Sequence, residues 1–348
     1  MTSTTTSIVT PRRPWVNRRN VYKELIPTFG IAGALAALIV NFTGLAGPLG
    51  SYVAFVAMYL TVSFFFGLRH DKIKAFDKVM TTLICAGFFT AFIPWVSILF
   101  TVFKRGASAI YWGYFTTDMS VTSNDAELNL GGLSHAIVGS GIILLVASLI
   151  AIPFGIITAI YITEIKGRFS GLVRIMIQSM SGVPSIVAGL FIYTTVISLT
   201  GSYSGLAGAL ALSVLMLPTV ARTSEEVLKL VPEDLRAVSY ALGARQWRSS
   251  LMVVLPTVRS GLTTAAILGV ARVVGETAPL LLTALTNNAF KFNPFEGPIA
   301  SMPMYVFGML QIGTEYSISR AWSGSLVLML IVLALFVVAR RLGGKDKR

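Results

Sequence analysis

Apolar runs of about 20 residues recur along this chain, as between Leu25 and Ala46 and again from His135 to Ile160. Each is long enough, as a helix, to cross roughly 30 Å of hydrocarbon. In that solvent every backbone polar group must be satisfied within the protein, so only helices and closed barrels can span it. Barrel strands alternate polar and apolar residues over short stretches, and no such alternation occurs here. Only 12% of the 348 residues are charged, against about 25% in soluble domains. The expected fold is an all-α polytopic membrane protein.

The pattern predicts eight transmembrane helices, at about 25–45, 50–68, 76–103, 134–163, 172–199, 204–221, 258–285 and 322–340. Lysine and arginine orient them. With the N-terminus in the cytoplasm, the cytoplasmic segments hold 23 of the 28 basic residues. Lys104, Arg105, Lys291 and Arg320 fall on the other side and Arg272 lies within the membrane. The inverse orientation would reverse the bias that cytoplasmic loops carry, so both termini are expected in the cytoplasm. The same distribution explains the net charge of +13 without nucleic acid as a partner.

Residues 1–24 read as a basic cytoplasmic tail near anionic headgroups, and 341–348 as a second one. The first two spans, over 25–70, form an added hairpin joined by a Gly/Pro turn. A cleaved leader is disfavoured there, because the apolar region is too long and more spans follow at once. Cys85 is the single cysteine and is expected to be a small buried hydrophobe. The long outer loop, 104–133, carries acids without repeated ligand spacing, so no metal site is expected. His135 at a span boundary reads as a hydrogen-bonded interfacial residue.

Between spans six and seven lies a cytoplasmic loop, 223–257. Leu235, Val238, Ala241 and Leu242 give a short amphipathic stretch, Gly243 breaks it, and Trp247, Leu251 and Val254 begin another. Glu233 and Asp234 follow Pro232 and suit a helix N-terminus. Such a two-helix elbow suits docking to a partner protein; the alternative is an interfacial helix lying on lipid.

These residues carry a resemblance. The loop resembles the "EAA" loop of ABC-importer permeases, with Gly243, Val253, Leu255 and Pro256 on its spacing. The Glu-Ala-Ala positions are Ala237, Val238 and Ser239, so the acidic residue is missing and the salt bridge it would make is not implied. MLPTVARTSEEVLKLVP, LRAVSYALGARQW, ARVVGETAPLLLTAL and GVPSIVAG together resemble the PstA family, membrane subunits of bacterial phosphate importers. The resemblance covers about residues 76–340.

It implies a six-helix type I ABC-importer permease core with the hairpin as an N-terminal extension, in the bacterial inner membrane. It also implies a PstC-like permease subunit, two PstB-like ATPases and a PstS-like phosphate-binding protein as partners. The chain has no G-x-x-x-x-G-K-[ST], so no ATP-phosphate cradle; ATP and Mg belong to the partner ATPase and no cofactor is expected here. By the same resemblance Asp234, Arg236, Ala237, Ser239, Leu242, Gly243, Ala244 and Trp247 would meet the ATPase.

The expected substrate pathway centres on Arg272 and Glu276. Four residues apart, they would share one face of span seven, continued by the small residues Ala265 and Gly269. A charge near the bilayer centre costs roughly 2.5–3.5 kcal/mol, which argues against lipid exposure. A guanidinium offers phosphate several donors in a planar fork and stays charged. Glu276 would neutralise Arg272 when the path is empty. The alternative is a structural salt bridge to a neighbouring subunit.

Arg222 is a second waypoint, with Thr277, Ser181 and Ser185 completing the candidate path. Gly182 and Pro184 predict a kink or break in span five, and Pro279 one in span seven. The functions left open are a phosphate permease, a permease for another oxyanion such as sulfate or molybdate, an ion-coupled secondary transporter, and a regulatory subunit that senses phosphate. The elbow counts against the secondary transporter, which would show inverted repeats instead.

Overall fold

The computed structural model describes residues 18–44, 47–69 and 71–343. In chain order the helices are α1 Arg18–Thr43, α2 Pro48–Leu68, α3 Lys72–Gly106, α4 Ser134–Ile160, α5 Ser170–Met180, α6 Ser185–Ile192, α7 Ser198–Thr200 and α8 Gly205–Lys229. Then follow α9 Glu233–Ala241, α10 Gln246–Ser249, α11 Leu255–Thr257, α12 Arg259–Val273, α13 Ala278–Leu281, α14 Met302–Ile312 and α15 Glu315–Gly343. Wide π turns extend α4 over Tyr161–Ile165 and join α6 to α7 and α10 to α11. The described residues contain no strand beyond one isolated bridge, Ser204 to Gly297.

The all-α polytopic fold is as expected. Six helices have the length and composition to cross a membrane: Leu25–Thr43, Pro48–Leu68, Lys72–Ala109, Ser134–Ile165, Gly205–Lys229 and Glu315–Val338. A bent pair stands where span five was expected, Ser170–Met180 with Ser185–Thr200 at 106°; a second, Gln246–Thr257 with Arg259–Val273 at 77°, has its first arm in the expected loop and its second in the first part of span seven. The expected N-terminal tail lies outside the described residues up to residue 17, and from Arg18 the chain is helical. The C-terminal tail likewise: α15 reaches Gly343, and the rest lies outside the described residues.

The chain forms two compact units, one ending at Leu99 and one beginning at Phe100, so their boundary falls inside α3. In the first, α1 and α2 pair through Phe29, Phe55 and Tyr59, whose ring centroids lie 4.9–5.9 Å apart. Offset and edge contacts of this kind add to simple packing. Tyr52 of α2 reaches α3, donating to the carbonyl of Ala86 at 2.9 Å. Cys85 is exposed rather than buried.

The second unit is built around α8. On α4, Gly139, Ile143, Ala147, Ala151, Gly155 and Ala159 are buried at every fourth position. Residues so spaced share one helix face, and small side chains let two backbones approach closely where lipid supplies no hydrophobic drive. Ile143, Ala147 and Ala151 pack with Leu212, Leu215, Met216 and Val220 of α8 in one cluster. α8 runs on unbroken through Pro218 to Lys229, two turns beyond the expected end of span six.

The end of this unit at the start of α4 and of α15 is stitched by polar contacts. Arg320 of α15 is 1% exposed, and its guanidinium donates to the carbonyls of Asn124, Ala126, Glu127 and Leu130 at 2.6–3.3 Å. Nearby, Asp118 accepts from the Ser120 hydroxyl and amide and from the Phe290 amide. Its partial burial works the other way, yet these bonds hold the carboxyl below its ordinary range. His135 is buried with Nδ1 unpartnered and its ring edge-on to Tyr305. It packs against an aromatic ring instead of making the expected hydrogen bond.

Candidate functional site

Two features carry chemistry, the elbow and the pair of helix breaks. The elbow begins where Pro232 caps α9, with Glu233 and Asp234 in its first turn, acids placed against the positive end of the helix dipole. It ends as the sequence predicted. Gly243 takes φ +80°, its amide bonds to Tyr240 O and the Ala244 amide to Ser239 O. That is the left-handed helix termination that glycine adopts without a Cβ penalty.

The elbow presents an apolar ridge. Leu242 is 83% exposed and Trp247 52%, with Leu235, Val238, Tyr240 and Leu251 beside them. Asp234, Ala237 and Gly243 are also on the outside, and Ala244 is half-buried. Two residues expected to meet a partner do not face outward. Ser239 is buried, and Arg236 turns inward to Glu164 at the end of α4, with Nη2–Oε1 2.7 Å and Nε–Oε2 3.1 Å.

Arg236 also donates to the carbonyls of Val231 and Leu228, and Gln246 donates to Glu164 O at 2.7 Å. The Glu164 side chain is only 2% exposed. A bidentate pair of this geometry is strong and directional, and the hydrogen bonds to Glu164 push the Arg236 guanidinium above its ordinary range against partial burial. One acid thus locks both arms of the elbow to the core. Glu164 had no motif to mark it; its only sequence signal was an acid at the inner end of a span.

In the first break, α5 and α6 are separated by Ser181–Pro184. Pro184 cannot donate into a helix and its fixed φ suits the N-cap it occupies. Tight turns satisfy the freed amides: Ser181 to Ile177 O, Gly182 to Ser179 O and Val183 to Met180 O, as broken membrane helices require. Ser181 donates to Ile177 O, and Ser185 opens α6 half-buried.

The second break was not anticipated where it occurs. α12 stops at Val273 and α13 starts at Ala278. Arg272 and Glu276 therefore do not lie on one helical face. No ion pair joins them among the described residues, and Arg272 is exposed while Glu276 is half-buried. Gly275 is the weak point in the helix, and Pro279 opens α13 instead of kinking a continuous span. Ala265 and Gly269 are buried, and a Cβ on Gly269 would meet Met216 and Val220 of α8, so that small-residue face is occupied by α8.

The two breaks meet. A Cβ on Gly189 of α6 would lie 2.7 Å from Pro279 Cα, so backbone touches backbone there. Thr277, the N-cap of α13, stands two residues before Pro279. Arg222 lies elsewhere, exposed on α8, lining a cavity of about 440 Å³ with Arg174, Gln178, Glu225, Glu226 and Lys229. Buried Glu225 there bonds Arg174 at 3.0 Å and Lys229 at 2.9 Å. The predicted path residues thus fall into two groups, the breaks and the C-terminal end of α8.

The family described as "binding-protein-dependent transport system inner membrane component" matches residues 151–343. The chain is 36% identical over 265 residues to the phosphate transport system permease protein PstA 1 of Mycobacterium tuberculosis, covering 76% of this chain and 87% of that one. It is 39% identical over 252 residues to PstA of Yersinia pestis, covering 72% and 84%. With PstA of Pasteurella multocida it shares 38% over 272 residues, covering 77% and 94%. Among solved structures, one described as inward facing conformations of the MetNI methionine ABC transporter superposes with TM-score 0.51 at 18% identity, over 62% of this chain and 95% of that one. At that identity the likeness is one of fold.

Proposed function

The chain belongs to the PstA family of phosphate transport system permease proteins, and from that premise we propose how it works as a permease subunit of an ATP-driven phosphate importer. The observation that carries the reading is the extent of the family match, 151–343, which takes in the elbow and both breaks. The chain moves phosphate inward across the bacterial inner membrane by alternating access. A PstC-like subunit completes the pathway, two PstB-like subunits hydrolyse ATP with Mg, and a PstS-like protein delivers phosphate.

In this mechanism the ATPases grip the ridge of Leu242 and Trp247. Their movement passes through Gly243 and the Glu164–Arg236 lock into α4 and α8, since a bidentate pair transmits force along a fixed direction. The breaks then change together through the Gly189–Pro279 contact. Arg272 meets the anion. It ends α12, where the negative end of the helix dipole favours a cation, and it makes no side-chain hydrogen bond or ion pair among the described residues. An acceptor-only anion supplies what the guanidinium lacks. With Glu276 not paired to it, release of the anion depends on the change of conformation instead of on competition from that carboxylate.

The test is uptake of labelled phosphate by the assembled transporter. Arg272→Gln is expected to abolish uptake while the subunits still co-purify. Arg272→Lys keeps the charge but loses the fork, a deficit of about 1.5–3 kcal/mol or roughly ten- to a hundredfold in rate. Wild-type uptake by Arg272→Gln would remove this residue from the path.

A further inference from the structure

Two charged side chains stand at the break between α12 and α13, and the transport mechanism uses only Arg272. Glu276 lies past the end of α12, in the segment that leads into α13. Its amide donates to Val273 O at 3.2 Å. A turn closed this way keeps the two Cα atoms within about 7 Å, so Glu276 stays beside the helix end that carries Arg272. Glu276 is half-buried, and neither it nor Arg272 has a side-chain hydrogen bond or ion pair among the described residues. Arg272 offers donors only and an ionised Glu276 acceptors only. One small ligand satisfies both only if it carries acceptor oxygens and a hydroxyl proton on the same centre. On the premise that Arg272 meets the anion, as in the mechanism above, we propose that Glu276 selects phosphate within the pathway, accepting a hydrogen bond from its P–OH while Arg272 takes the ionised oxygens.

Charge and burial each support this role. Near neutrality inorganic phosphate keeps at least one P–OH beside its ionised oxygens, whereas sulfate has no proton left to donate. The phosphate dianion and sulfate carry the same charge on the same tetrahedral frame, so a guanidinium alone ranks them poorly. A carboxylate separates them, because it repels every bare oxygen and is satisfied only by a donor. Taking such a group out of water costs free energy unless it is hydrogen-bonded, and no donor among the described residues meets the Glu276 side chain. A site that bonds a substrate hydroxyl rejects the analogue lacking it, since the polar group is then left unpaired. The proton is shared and not transferred, so the anion leaves in the form in which it entered.

The experiment uses the full chain in its assembled transporter, in mild detergent and without the phosphate-binding protein, so that the membrane pathway alone discriminates. Gly275→Cys places a reporter thiol beside Glu276. Gly275 is exposed, is not among the glycines with positive φ, and a Cβ there meets no atom within 4 Å. Alkylation by a small maleimide is read at residue 275 by peptide mass spectrometry, apart from that of Cys85, under rising inorganic phosphate, arsenate, sulfate or monofluorophosphate. Arsenate keeps an As–OH, whereas monofluorophosphate replaces the P–OH by P–F. Phosphate and arsenate are expected to protect the thiol at concentrations roughly ten- to a hundredfold below sulfate and monofluorophosphate, the worth of one hydrogen bond to a charged group. Glu276→Gln in the same background should bring the four midpoints together, and Glu276→Asp should keep them apart.

Equal protection by all four anions with Glu276 intact overturns the proposal and leaves Arg272 as the anion contact. Protection by none of them removes the anion from this break and overturns both. The comparison of anions needs no change at Glu276, so it decides the matter even if Glu276→Gln fails to assemble. A Glu276→Gln form that assembles and still separates the anions refutes the role of the carboxylate.

Discussion

Glu164 illustrates what one side chain decides. It lies 72 residues from Arg236 in sequence, so no local pattern joins them, and the motif's own acidic position is Ala237. The loop's spacing made Gly243 legible, because a helix stop needs φ above zero whatever surrounds it. Which elbow residues face inward was not legible, since that depends on a partner from another element. Arg236→Ala leaves Glu164 buried without its counter-charge, and breaking such a pair costs about 3–5 kcal/mol. A lower unfolding temperature and weaker co-purification of the ATPase are expected; Glu164→Gln, which strands only the more accessible partner, Arg236 at 20% side-chain exposure against 2% for Glu164, should cost less. Acid acts at Asp118. Because its pKa is depressed in the folded chain, Asp118 contributes stability that is present above the ordinary carboxylate range and lost as pH falls through its folded value. Hydrogen exchange at the Phe290 amide should accelerate in that acid window and not at neutral pH.

At the scale of elements, the two breaks show the reach of sequence reasoning. Gly182 and Pro184 announced the first, because proline removes a donor and glycine a conformational restraint. The second fell inside GVARVVGETAPLLL, where the apolar period carries straight on and suggests a continuous helix. Periodicity cannot report a bend in a segment that is apolar on every side. Nor could it show that Gly189 is reserved for Pro279. Gly189→Ala puts a methyl 2.7 Å from Pro279 Cα, and overpacking of this sort costs about 1–3 kcal/mol. Slower uptake with assembly retained is the expected outcome. Gly243→Ala meets no atom within 4 Å and carries only the strain of its φ, about 1–3 kcal/mol. It should weaken ATPase association while leaving α6 and α13 in place. Equal phosphate uptake by Gly189→Ala and wild type would show that the breaks move independently.

Across the whole molecule, the all-α architecture was legible from hydrophobic run length. The division at Leu99 and Phe100 was not, since it falls inside one uninterrupted apolar helix. Removing residues 1–70 takes away α1 and α2, which pack on each other through their aromatic rings. Uptake is expected to persist at a reduced level with the rest of the transporter assembled; complete loss at normal expression would make the hairpin part of the core. The contact of α15 with residues 124–130 has its own large-scale property. Arg320 is held by four carbonyl oxygens and by no carboxylate among its hydrogen-bond partners. Buried at 1% exposure, such a clasp is screened far less by dissolved salt than an exposed pair, and carbonyl acceptors have no proton to gain near neutrality. The loop should therefore keep its seat in brine and in fresh water alike.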